Sequence, residues 1–381
     1  MTPQHLTNER AKFVVDDDVA YFNTAALSPV LSSVRAAAHA AVDRRATPWT
    51  IGSAGWFGDV EDLRSRVARL LGVAANNVAL VPATSYGLAT VAGNLNAKAG
   101  DRVLVLEGEF PSNYYTWQRF ARRTGAELVV VQPEAGQTWA DAIIDAIDER
   151  VVVASLPNVH WTNGRLIDLN RVAPVLRAAG SAFIIDASQS FGAMPLDVAT
   201  LQPDAIVAVG YKWLLGPYSL GYLYVDDGLL GGEPLEANWI VRAGSEDFSS
   251  LVDYHDEYRV GAQRFDVGQR SNFQLVPMAT AAIQQLLEWT VPRIAEALQL
   301  RTNAIAERAA ALGLSASPPE GRGPHLLGVD LPREAARQVA AALDASRVVV
   351  SPRGSSLRIA PHLHNTEQDI DRLMSVIASA L

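Results

Sequence analysis

Residues 182–217 read AFIIDASQSFGAMPLDVATLQPDAIVAVGYKWLLGP. Two apolar, β-branched runs stand in this stretch, each followed by polar residues. The first, AFIID, ends on Asp186, with Ser188 and Gln189 just beyond. The second, DAIVAVG, runs into Tyr211 and Lys212. In an open parallel sheet, ligands sit outside the carboxyl ends of the strands. Two such strands deliver one carboxylate and one amine to a common rim, 212 − 186 = 26 residues apart in the chain. Lys212 lies between Tyr211 and Trp213, ahead of LLGP. An amine in such surroundings is desolvated, which lowers its pKa and frees it as a nucleophile.

The bulk properties bound what this rim can serve. A chain of 381 residues can bury a large core and form two domains. Its 32 basic and 41 acidic residues give a net charge of −9. That balance disfavours nucleic-acid or anionic-membrane partners, whose footprint is a basic patch. There are no cysteines, so disulfides, thiolate metal sites and thiol nucleophiles are excluded. No metal site is expected, because no His/Asp cluster has ligand spacing. No run has the length of a signal peptide's apolar core or of a membrane span, and a cytoplasmic location is the default expectation.

Strand and helix patterns alternate on both sides of the opening stretch. NVALVP, DRVLVLE, AELVVVQ, RVVVASLP, AFIID, DAIVAVG and GYLYV are short β-branched runs. Helical patterns near residues 87–96, 114–123, 139–147 and 169–179 separate the earlier ones. This predicts an α/β fold with a mostly parallel central sheet covered on both faces. The late strands near Lys212 are spaced closely enough for one to run antiparallel. Two helices, over 30–46 and 56–71, precede the sheet. A long helix over 275–312, bent near Pro292, follows it. The expected division is an N-terminal segment, 1–30, joined to the small domain, a large domain over 31–274, the connecting helix over 275–312 and a small C-terminal α/β domain over 313–381.

The other strand ends add chemistry. ATSYG places Thr84 and Ser85 at a helix start, where N–H groups and hydroxyls suit an anion; a plain helix cap is the competing reading. GEFPSN places Phe110 where a flat ring could stack on a flat ligand, or pack as core. NVHWTNG offers Asn158, His160 and Trp161 on a strand-end loop. Asn23 approaches from the N-terminal segment. SSLRIAPHLHNT carries Arg358, with Arg353 just before, and a guanidinium fork suits a carboxylate. Together these supply a phosphate cradle, a ring stacker, a carboxylate for a ring nitrogen, an imine-forming amine and a carboxylate clamp. That set is what pyridoxal phosphate chemistry on an amino acid requires.

These residues resemble the pyridoxal-phosphate enzymes of fold type I, the class V aminotransferase group. That group includes cysteine desulfurases, selenocysteine lyases, kynureninases and isopenicillin-epimerase-like proteins. The resemblance runs from about Tyr21 to the end and is carried by FIIDASQSFGAMPLDV, YKWLLGP and LRIAPHLHNTEQDID. It implies that Lys212 holds the cofactor as a Schiff base and that Asp186 pairs with the ring nitrogen. Gln189 would reach the ring hydroxyl, and Thr84, Ser85 and Tyr211 would bind phosphate. Phe110 would stack on the ring, and Arg358 would bind the substrate carboxylate. Asn23, His160 and Trp161 would line the substrate side. Two positions depart from the family: Gln269 stands where many members have Thr, and Trp161 replaces an Asn. The resemblance also implies a homodimer with the active site at the interface.

The favoured activity is transamination of a small amino acid. A β-eliminating C–S lyase, a kynureninase-like hydrolase and an epimerase are the alternatives on the same chemistry. A non-catalytic ligand-binding protein is the alternative from another class. The missing cysteine excludes a desulfurase that passes sulfur through an enzyme persulfide, and leaves open a β-elimination that releases sulfur directly.

Overall fold

The computed structural model describes Leu6 and residues 8–381; the other residues of the 1–30 segment lie outside the described ones. A seven-stranded sheet forms the centre. Its strands are β1 (Val78–Val81), β2 (Arg102–Leu106), β3 (Glu127–Val131), β4 (Val151–Pro157), β5 (Ala182–Asp186), β6 (Ala205–Val209) and β7 (Gly221–Val225). Their order across the sheet is β1-β7-β6-β5-β4-β2-β3. Neighbours from β6 to β3 are parallel, and β7 runs antiparallel to both β6 and β1.

The strands are apolar on both faces because both faces are covered. Leu104 and Leu106 of β2 join a core that holds Leu63 and Val67, Val172 and Leu176, and Ile283 and Leu286 from three helices. Val103 and Val105, pointing the other way, join Leu88, Val91, Trp117 and Phe120 on the opposite face. This is the two-residue alternation of a pleated strand, with each parity meeting its own helices. Close helix–strand packing shows at Gly87, where a Cβ would stand 2.9 Å from the Val207 side chain.

Parallel register puts the functional ends together. Asp186 pairs with Pro157 of β4 and Val207 of β6. β6 continues past Val209 into Gly210, Tyr211 and Lys212 on the same rim. The loop after β5 packs on the loop after β6. Gly192, at φ 95°, lies so close that a Cβ would meet the Trp213 carbonyl oxygen at 2.6 Å. Only glycine takes that conformation in that space without strain.

A second sheet, order β10-β11-β9-β8, is built from β8 (Ser315–Ala316), β9 (Leu327–Asp330), β10 (Ser351–Arg353) and β11 (Ser356–Ile359). Its core includes Phe22, Ile305, Leu327, Val339, Ile359 and Leu373. Residues 20–21 pair in parallel with Val348–Val349, and Asn23 bridges Ala360. The bend expected near Pro292 falls at Thr290 (φ 65°, ψ 135°). There the chain leaves the helix over Leu275–Trp289 and starts another over Val291–Ala311. Pro292 sits in the first turn of the second helix, where a missing N–H costs nothing.

The two sheets meet across a buried aromatic seam. His325, His362 and His364 are fully buried there with Trp213, Trp289 and Phe13. His325 Nε2 bonds the Gln189 carbonyl, and His364 Nε2 bonds the Tyr21 carbonyl at 2.9 Å. Burial pushes both imidazoles down to about 4, with Arg10 and Arg301 adding repulsion at His364. His362 is lowered as well, by burial and then by His364, Arg301 and His325.

These histidines are neutral in the fold and take up protons on unfolding. The unfolded chain therefore binds more protons between about pH 6.5 and 4, and stability falls as pH falls through that window. The expected loss is about 2 kcal/mol by pH 5 for each of His325 and His364. The urea midpoint of the cofactor-free chain at pH 7 and pH 5 checks this. His325→Gln should flatten the fall; equal midpoints for the unsubstituted chain would refute it.

Candidate active site

A cavity of about 460 Å³ opens at the carboxyl ends of β1, β2, β4, β5 and β6. Its walls bring together Thr84, Ser85, Phe110, Trp161, Asp186, Gln189, Tyr211 and Lys212, which the sequence had already singled out. Pockets of this size suit a cofactor-sized ligand.

The chain has three lysines, Lys12, Lys98 and Lys212, and the last is the buried one. Lys212 is 6 % exposed. Its amine stands 5.1 Å from the centroid of the Phe110 ring and 5.8 Å from that of Tyr211. Burial lowers its pKa to about 8, against the pull of Asp186 and with help from Arg358. Asp186 accepts the Ser188 N–H at 3.0 Å. Burial raises its pKa, while Ser188 and Lys212 oppose the rise.

At the phosphate-sized end, Thr84 and Ser85 open the helix over Thr84–Gly93. Ala83 occupies the cap position and no side chain caps the helix, so Thr84 and Ser85 are not serving as the cap. Thr84 Oγ1 instead meets Ser188 Oγ at 3.1 Å. Tyr211 packs on Tyr218 with ring centroids 4.6 Å apart. Hydroxyls, a helix start, a lysine amine, a buried carboxylate and a flat ring form a donor set that suits pyridoxal phosphate.

Gln189 is held from both ends: its Nε2 donates to Ala25 O and its Oε1 accepts from Trp213 Nε1, each at 3.0 Å. The second Nε2 hydrogen remains for the cavity. Trp161 stands edge-on to Phe110, 5.4 Å away, and donates from Nε1 to the Gly108 carbonyl at 2.7 Å. Asn23 and Arg358 do not line the cavity; Arg358, on β11, stands behind Trp161, donating to its carbonyl at 3.0 Å and to Asn23 Oδ1 at 3.4 Å. Its pKa is lowered to about 10 by burial and by Arg353, against Tyr21. Arg353 and Arg358 lie 5.2 and 5.9 Å from the centroid of the Trp161 ring.

His160 is a correction. It does not line the cavity; its ring stacks on Trp139, 5.4 Å away. Nε2 donates to the Glu107 carbonyl at 3.1 Å, and Nδ1 pairs with the Thr162 hydroxyl at 2.7 Å. Both nitrogens are used and burial lowers the pKa, so the ring is a neutral strut under the loop. Sequence reading also passed over Glu109, Tyr218 and Ser219, all on the cavity wall. Glu109 had one usable signal: it directly precedes Phe110 at the end of β2.

The aminotransferase class-V family model matches residues 53–373. An uncharacterized aminotransferase of Bacillus subtilis, YcbU, is 28 % identical over 320 residues, 84 % of this chain and 83 % of its own. A cysteine desulfurase of Enterobacter is 26 % identical over 338 residues, 83 % of this chain and 81 % of its own. Two structures of C-DES share the fold at 19–20 % identity. One has glycine covalently linked to its pyridoxal-phosphate cofactor (TM-score 0.87, covering 98 % of this chain and 99 % of C-DES). The other holds the cystine C–S lyase with its reaction product, cysteine persulfide (TM-score 0.85, 95 % and 98 %).

These matches overturn one expectation. Desulfurases stand among both the relatives and the structural neighbours, so the desulfurase class is not excluded for this chain. The argument from missing cysteine assumed that a persulfide must sit on the enzyme, whereas in the C-DES complex a small molecule carries it. The family match spans most of the chain and the fold is that of fold type I. The protein is a member of the class V aminotransferase family, and its cofactor is pyridoxal phosphate.

Proposed function

We propose that this protein is a pyridoxal-phosphate-dependent carbon–sulfur lyase, acting by β-elimination on a small sulfur-bearing amino acid. The observation that carries the reading is the pair of guanidiniums beside Trp161. Neither Arg353 nor Arg358 has a carboxylate partner among the hydrogen bonds of the described residues. One cation suffices for the substrate's α-carboxylate. A second stabilises negative charge that develops further along the substrate, such as a departing thiolate. The names of the relatives and neighbours support the same chemistry.

The roles follow from position. Arg358 binds the α-carboxylate, with Asn23 fixing the guanidinium. Phe110 and Trp161 wall the ring and exclude water. Asp186 keeps a proton on the ring nitrogen, and Thr84, Ser85 and Tyr211 hold the phosphate. Bound pyridoxal phosphate supplies an electron sink at the substrate's Cα. Lys212 Nζ, whose pKa burial lowers to about 8, takes the Cα proton in its uncharged form. The electron pair forms a Cα–Cβ double bond as Cβ–S breaks, and sulfur leaves with the bonding pair beside Arg353. Water then completes the products, pyruvate and ammonia. Transamination is the second reading, favoured by the aminotransferase name of the Bacillus relative.

Product analysis separates the two. Cysteine should yield pyruvate, ammonia and sulfide, and cystine should yield pyruvate, ammonia and cysteine persulfide. A keto acid that retains the substrate's side chain, with the cofactor left in its amine form, would establish transamination instead. Alanine would point to desulfuration without elimination. Arg353→Gln should lower kcat about tenfold with little change in KM.

Borohydride treatment of the holoprotein should fix the cofactor on Lys212 alone, and Lys212→Ala should leave none fixed. Label on Lys12 or Lys98 would remove Lys212 from its role.

The chain is further proposed to work as a homodimer. Trp49 and Tyr254 are 80 % and 94 % exposed, with Val252 and Val260 also in solvent. Apolar groups this open are usual at subunit contacts. Sedimentation should give twice the chain mass at micromolar concentration; a monomer there would contradict this.

A further inference from the structure

The cavity wall carries two carboxyl groups among the described residues, Asp186 and Glu109. The role read for Asp186 uses one of them. Glu109 sits at the end of β2, directly before the Phe110 that caps the helix over Pro111–Thr124. It is 9 % exposed. Its Oε1 accepts the Phe110 N–H at 2.6 Å. Its Oε2 is buried with no hydrogen-bond partner among the described residues. A carboxylate held this way leaves lone pairs unsatisfied and a charge uncompensated, which is costly.

The two acids are placed unequally. Asp186 has the Ser188 N–H at 3.0 Å and feels the Lys212 amine. Glu109 has the Phe110 N–H and the neighbouring Asn113 amide, and forms no ion pair among the described residues. Asn113 is itself fixed, since its Oδ1 accepts from Ser155 Oγ at 2.7 Å and Trp117 Nε1 at 2.9 Å. Two buried carboxyls on one cavity wall resist ionising together; the one without a cation beside it keeps its proton. Burial and then the charge of Asp186 push Glu109 up to about 8, with Phe110 and Asn113 opposing. Oε1 already accepts a hydrogen bond, so the proton belongs on Oε2.

We propose that Glu109 is a positioning residue that works with Asp186 as a carboxyl pair bearing one negative charge, the proton on Glu109 Oε2 and the charge on Asp186. The inference rests on the reading of Asp186 as partner of the ring nitrogen. Its consequence is that cofactor binding and the proton on Glu109 are linked. A bound cofactor displaces water from the cavity and deepens the burial of Glu109. An ionised Glu109 must then take up a proton for the cofactor to bind, and that requirement grows with pH. The other titratable groups around Glu109 are Lys212, Tyr211 and Tyr218 on the loop after β6, Asp186 on β5, and His160, which lies under Gly108. The helix over Pro111–Thr124 presents Asn113. Of these, Lys212 acts in the opposite sense: its free amine, which joins the cofactor, becomes more abundant up to about pH 8.

The test is the affinity of the cofactor-free chain for pyridoxal phosphate, read by tryptophan fluorescence from pH 7 to 9.5. The unsubstituted chain should bind more tightly up to about pH 8 and then weaken, by up to about tenfold per pH unit. Glu109→Gln keeps the size and the Oε1 acceptor but has no proton to lose, so its affinity should level off instead. Parallel curves for the two proteins would overturn the pair. Infrared difference spectra at pH 7 give a second readout that depends on no variant binding cofactor. A buried, protonated carboxyl stretch should be present in the unsubstituted chain and absent from Glu109→Gln; its absence from the former would also overturn the proposal. Asp186→Asn separates the underlying reading: it should weaken binding at least about tenfold at every pH. Unchanged affinity there would refute the Asp186 role while the Glu109 comparison still stands on its own.

Discussion

One constraint organises the molecule: the Lys212 amine must be kept out of water while a carboxyl shares its cavity. Desolvation is the larger effect and brings the amine to about 8; Asp186 works against it and Arg358 with it. Without burial, the free amine would be a far smaller fraction at neutral pH. Without Asp186, the same burial would push it down further. The balance exists only if the loop after β6 is held rigidly, and that loop shows the strain of being held. Leu215 and Ser219 both adopt positive φ, at 56° and 65°. Such residues persist only where the surroundings over-determine them.

Several parts of the chain supply that determination. Ser28 bonds the Tyr211 carbonyl through both its N–H and its hydroxyl, at 3.0 and 3.1 Å. Trp213 is buried between Gln189 and His325, and Gln189 in turn bonds Ala25. The N-terminal segment, the loop after β5 and the second unit thus converge on the residues flanking the lysine. At the β1 edge of the sheet, a buried charge network does similar work. Asp266 takes Arg64 and Arg270 at 2.6 Å each and the Leu80 N–H at 2.7 Å. It thereby ties the helix over Asp59–Leu71, β1 and the segment after Gly261 into one body. Removing one member of such a network leaves the others charged and dry, which is why it behaves as a unit.

What could be read from the sequence divides along physical lines. Asp186, Lys212, Phe110 and Thr84 were legible because a strand's end tells where its next residue goes. β7 was legible as an antiparallel candidate because the spacing around Lys212 leaves no room for a crossover. His160 was misread for a complementary reason. It neighbours Trp161 in the chain, but consecutive residues of a loop point different ways, and its ring turned under the loop to Trp139. Glu109 was missed because nothing local marks an acid as buried. Its environment is assembled by β5 and by the helix it precedes, which only tertiary structure brings together. The desulfurase class was misjudged on chemistry rather than on structure, by tying a persulfide to the chain itself.

The two ends of the cavity differ in how they are anchored, and this bears on selectivity. Asp186, Lys212, Thr84 and Phe110 stand on strand ends and helix starts of one sheet. Arg353 and Arg358 stand on β10 and β11 of the other sheet, off the cavity wall and against Trp161, which lines it; Arg358 also bonds Asn23. The groups read as cofactor-holding therefore belong to one sheet, whereas the cations read as substrate-holding belong to another. The histidine-lined seam joins the two, since His325 bonds the Gln189 carbonyl and packs on Trp213 beside the lysine. Since the direction in which a substrate's charge is drawn decides which of its bonds is weakened, the placement of the second sheet, rather than the Asp186–Lys212 pair, is the physical lever on which reaction the site performs.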